Sequence, residues 1–107
     1  MTYGIESVLN IIDVNGSSFT ISNEPIGTVF YFDASQAVTV NLPPLASVTE
    51  GTHYILKRDG GAYGITIEPN SNETIDGSIT KSISGTYDSF RIVSTSSGWL
   101  TIGFGLN

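Results

Sequence analysis

The chain has 107 residues, a net charge of −6 from 10 acidic and 4 basic side chains, and no cysteine. One domain's worth of length excludes a large multi-domain enzyme, and the missing thiols exclude a disulfide framework or a thiolate metal site. Charged residues at 13% beside 39% hydrophobic ones indicate a folded domain surfaced by Ser and Thr rather than a disordered segment.

In chain order, the first element expected is Val8 to Val14, which contains the most apolar run of the sequence. It is read either as one more core strand or as an arm that pairs with another subunit. Residues 1–17 therefore form a candidate assembly segment, with Val8, Leu9, Ile11 and Ile12 as its candidate contacts, ahead of a single domain at 18–107. Strict alternation of apolar and polar residues follows in Phe19-Thr20-Ile21-Ser22, Val38-Thr39-Val40-Asn41-Leu42 and Ile65-Thr66-Ile67-Glu68, which puts one face on a core and one in water. Thr28 to Phe32, Thr52 to Arg58, Ile79 to Ile83, Ser89 to Ser94 and Trp99 to Gly103 complete the predicted strands. Asn15-Gly16, Asp59-Gly60-Gly61, Asp76-Gly77 and Ser97-Gly98 supply the turns between them. Pro43-Pro44 opens one short helical turn over Leu45 to Glu50, stopped by Gly51, and marks a crossing between sheets rather than a hairpin. The fold class expected is all-β: an antiparallel β-sandwich or jelly-roll-like barrel of short strands.

The acidic balance argues against nucleic acid, because only Lys57-Arg58 sets two cations side by side. No apolar run approaches the ~20 residues of a membrane span, and the N-terminus lacks the cationic start of a signal peptide. No membrane partner is expected.

Catalytic chemistry has little to work with. His53 is the only histidine and falls inside a predicted strand, so a Ser-His-Asp site or a Cys/His zinc cluster has no partners to draw on. Glu68, Glu73 and Asp76 lie close together in sequence, yet a glycosidase pair needs a cleft that a domain of this size scarcely holds. Asn70, Asn72, Thr74 and Asp76 alternate as a calcium loop would, without its flanking helices, and a polar turn capped by its own Asn and Asp side chains explains them as well. No enzyme activity, cofactor or metal is expected. Among the aromatics, Phe30 and Phe32 alternate onto one face and Tyr31 onto the other; Tyr63, Tyr87 and Trp99, beside turns, are the candidate contacts for a sugar face.

Taken in order, several segments resemble a module of phage and other viral virion proteins, especially head-decoration and tail-fibre polypeptides. They are Ala37-Val38-Thr39-Val40-Asn41-Leu42-Pro43, Gly51 with Tyr54-Ile55-Leu56-Lys57-Arg58-Asp59, Ile65-Thr66-Ile67-Glu68-Pro69, Glu73-Thr74-Ile75-Asp76-Gly77, Tyr87-Asp88-Ser89 with Ile92-Val93-Ser94, and Gly98-Trp99. With Val29 to Asp33 upstream, the resemblance spans roughly residues 19 to 103. It implies a virion structural protein that assembles with copies of itself, usually as a homotrimer, and does not catalyse. Length favours a decoration or cement protein bound to a major capsid or other virion protein on the particle surface over a fibre shaft. The alternative is a carbohydrate-binding or receptor-binding module of a viral fibre or tail, with a host-surface glycan as its ligand.

Overall fold

The structure, a computed structural model, describes residues 9–103. These form nine strands, β1 Ile11–Val14, β2 Ser18–Thr20, β3 Val29–Phe32, β4 Val38–Asn41, β5 His53–Arg58, β6 Ile65–Glu68, β7 Lys81–Ile83, β8 Ser89–Ser94 and β9 Trp99–Gly103, with one 3-10 turn at Leu45–Ser47. Each expected segment contains a strand, with β2 ending before Ile21-Ser22 and β7 starting only at Lys81, and the short turn after Pro43-Pro44 is present.

The strands make two mixed sheets, a five-stranded one in the order β1-β3-β5-β8-β9 and a four-stranded one in the order β2-β4-β6-β7. The expectation of antiparallel pairing is corrected here. β1, β3 and β5 are mutually parallel, as are β2, β4 and β6; only β5-β8, β8-β9 and β6-β7 are antiparallel. The reason lies in the connections. From β1 to β6 the chain changes sheet after every strand, so each return to a sheet runs in the same direction as the last, whereas a hairpin would have reversed it. Residues 15–17, 33–37 and 59–64 form short arches from the five-stranded to the four-stranded sheet, and 21–28 and 42–52 lead back. The path is three successive coils closed by antiparallel strands.

Within 1–17, expected as an arm or a first strand, Ile11–Val14 pairs with β3 from Ile11 opposite Val29 to Val14 opposite Phe32. Val8 lies outside the described residues.

Inward side chains of both sheets join one hydrophobic cluster, in which Phe30, Leu56, Phe90 and Ile92 of one sheet meet Val40, Ile65 and Ile67 of the other. The Phe19 ring of β2 stands 5.4 Å from Phe30 of β3, and Phe30 is 5.6 Å from Tyr54 in an edge-on contact. The expected Asp76-Gly77 turn is a two-residue turn with both central residues in the left-handed region. Ile75 and Ser78 exchange hydrogen bonds of 2.8 Å in both directions, with φ of 52° at Asp76 and 81° at Gly77.

Candidate functional site

Because β1, β3 and β5 run parallel and in register, residues at equivalent points of the three coils stack as ladders. Asp13, Tyr31 and Lys57 form one row on the outer face. One step beyond the inward-facing row of Val14, Phe32 and Arg58, each arch opens on a short polar side chain: Asn15, Asp33 and Asp59. The Asp33 amide donates to the Val14 carbonyl and the Asp59 amide to the Phe32 carbonyl, each at 3.0 Å, so the ladder carries the sheet's spacing into the arches. Asp13, Asn15, Tyr31, Asp33 and Asp59 line a surface depression of about 390 Å³.

Two residues build its floor. Asp59 Oδ1 accepts from the Ala34 and Gly61 amides, each at 2.9 Å, tying the second arch to the third. These two bonds, from Gly61 first and Ala34 second, hold the Asp59 carboxyl below its usual pKa against the pull of desolvation. Arg58 is buried and turns its guanidinium into the third arch, donating to the carbonyls of Tyr63 at 2.9 Å, Asp59 at 3.0 Å and Gly61 at 2.7 Å. A Cβ on Gly61 would lie 2.5 Å from the Ala34 carbonyl, so the two arches pack with backbone against backbone.

Tyr87 stands over the same region. It takes φ of 58°, a left-handed conformation uncommon for an aromatic residue. Lys57 holds it there, with Nζ donating to the Tyr87 carbonyl at 2.8 Å and lying 5.7 Å from the ring centroid. Desolvation raises the Tyr31 phenol above its usual pKa, and Tyr87, Asp59 and Asp13 push it the same way.

The other sequence-derived candidates are distributed differently. Tyr63 and Tyr87 are 51% and 53% exposed, but Trp99 is 1% exposed and belongs to the core, which removes it from any surface set. It stands beside the Ser97-Gly98 turn and opens β9 as expected, with the Thr74 carbonyl accepting from its amide at 2.8 Å. Glu68, Glu73 and Asp76 do not converge. Glu73 accepts from the Leu45 amide at 3.1 Å and so opens the 3-10 turn, while Asp76 accepts from the Thr101 amide and hydroxyl and from Lys81. Desolvation, the largest influence on Asp76, raises its pKa, and the bonds from Thr101 and Lys81 together outweigh it and leave the carboxyl below its usual value. Among the described residues, no three His, Cys, Asp or Glu side chains are placed to share a metal ion. His53 sits on the outer face of β5, half-buried, its ring against Gly27.

Of the candidate assembly contacts, Leu9 and Ile11 are exposed, whereas Ile12 packs against the core. Asp13, Asn15, Tyr31, Asp33 and Asp59 escaped sequence reasoning as a group. Their signal was present in the triplets Asp13-Val14-Asn15, Tyr31-Phe32-Asp33 and Lys57-Arg58-Asp59, where an Asn or Asp follows the last inward residue of each coil. No protein-family model matches this chain, and no curated protein matches it.

Proposed function

We propose that this chain is a non-catalytic structural protein of a virion, a decoration or cement protein that assembles on the particle surface as a homotrimer, built as a two-layered β-sandwich. The observation that carries this reading is the winding of the first six strands. Successive parallel coils leave β1 and β2, the opening strands of the two sheets, as edges of both sheets at the same side of the molecule. Edge strands presented together in this way are suited to pairing with another protein surface. The core shared by both sheets supports the two-layered architecture. Light scattering behind a sizing column tests the reading: a mass near three chains that persists on dilution is expected, and a monomer at all concentrations overturns the trimer.

A second reading, a carbohydrate-binding module, is favoured by the Tyr31-Tyr87 pair beside the Asn and Asp ladder. Phenol rings and side-chain oxygens at one depression match the stacking and hydroxyl contacts that a neutral sugar needs. On a glycan array this reading expects binding to neutral glycans that Tyr87→Ala reduces at least tenfold, and silence across the array rejects it.

A further inference from the structure

The two sheets present opposite surfaces to solvent. Outward positions of the four-stranded sheet are polar throughout: Ser18 and Thr20, Thr39 and Asn41, Thr66 and Glu68, then Ser82. A sheet with one face on the core and one in water is expected to look like this. The five-stranded sheet does not. Its register sets Ile11, Val29, Ile55, Arg91 and Ile102 in one outward row and His53, Val93 and Leu100 in the next. Ile11 is 62% exposed, and Leu100 and Ile102 are 48% exposed each. Apolar side chains thus run from one edge of this face to the other, in a chain whose second outer face shows that polar residues were available for the same position.

We infer that the outer face of the five-stranded sheet is the surface on which a second copy of this chain packs, a deepening that rests on the assembling reading above. Three observations name the occupant. Two of this face's outward rows are Ile, Val and Leu around one His and one Arg, and the third, Asp13, Tyr31, Lys57 and Ser89, adds the aromatic Tyr31 at the far end of the face. That composition is nearer to the core-like contact of permanent homo-oligomers than to the aromatic anchors of transient partners. At −6 copies of the chain repel one another on average, whereas among the described residues this face carries two of the four cations, Lys57 and Arg91, against one outward acid, Asp13. Those charges are also separated across the sheet, Asp13 on the edge strand β1 and Lys57 two strands along the same row. A head-to-tail contact sets the β1 side of one copy on the β5-β8 side of the next, Asp13 against Lys57, and such a contact repeated by rotation closes a ring.

Sedimentation velocity over a dilution series tests this with three proteins: the wild type, Ile11→Asp/Ile102→Asp on the two edge strands of this face, and Thr66→Asp/Ser82→Asp on the outer face of the other sheet, away from β2. The first pair is expected to weaken self-association at least tenfold, and the matched pair to leave it unchanged. If the wild type assembles and the first pair leaves it intact, or both pairs disrupt it equally, the face is wrong while the assembling reading stands. A wild type that stays monomeric overturns the assembling reading and this inference with it. Should Ile11→Asp/Ile102→Asp lose its strand circular dichroism, Asp13→Lys decides: weakened assembly supports the contact, and unchanged assembly overturns it.

Discussion

At the scale of single residues, Asp59 does the most varied work in the candidate site. It closes its own arch through Gly61 and ties that arch to the preceding one through Ala34, both through one oxygen. Asp59→Ala is expected to lower unfolding stability by about 1–2 kcal/mol, read from urea denaturation, since two amides lose a charged acceptor near solvent. The same bonds set a pH dependence. Asp59 and Asp76 both have folded-state pKa values below the ordinary carboxyl value. Their stabilisation is therefore complete above the unfolded value of about 3.9, and is lost as pH falls from there through the folded values. Urea midpoints should stay level near neutrality and drop below about pH 4, with a shallower drop in Asp59→Asn, which keeps an acceptor oxygen but does not titrate. Sequence made Asp59 legible as a turn former beside two glycines, but not as a bridge. Its second donor, Ala34, is 25 positions away and becomes a neighbour only through the parallel pairing of β3 and β5.

At the scale of elements, Phe30 shows how the coils are held. It is fully buried on β3 and touches Phe19 in the other sheet and Tyr54 on the adjacent strand, so it links layers as well as neighbours. Phe30→Ala is expected to cost about 3–5 kcal/mol in chemical denaturation, the range for emptying a buried aromatic position that cannot collapse. The strands themselves were readable because alternation of period two marks a half-buried strand wherever it occurs. Their direction was not. An apolar-polar repeat such as Val38-Thr39-Val40-Asn41 is the same whether the partner runs parallel or antiparallel, and the deciding fact, that 33–37 leads across to the other sheet, is a property of the path. Pro43-Pro44 was the one local cue, and it did mark a crossing between sheets. Trp99 misled as a surface contact for a related reason: its place beside the Gly98 turn is a local property, while its burial and the pairing of its amide with the Thr74 carbonyl, 25 positions away, are properties of the path.

At the scale of the whole molecule, the order β1-β3-β5-β8-β9 places β5 at the centre of the five-stranded sheet with its two neighbours on either side of it in sequence. On one flank β3 precedes it closely. On the other, β8 arrives only after β6, β7 and their connections have been made. During synthesis β5 therefore passes through a period as an unpaired edge, its Tyr54 and Leu56 uncovered and the ladder groups facing β8 open to any extended chain nearby. Parallel pairing with β3 is itself slow to form, because its two strands are joined through the opposite sheet rather than by a tight turn. The winding that stacks the coils in the finished protein thus makes the nascent one vulnerable to pairing with the wrong strand. Ribosomes spaced along one message would hold many such half-built chains side by side, so the β5 edge is where misassembly between growing copies has its opening.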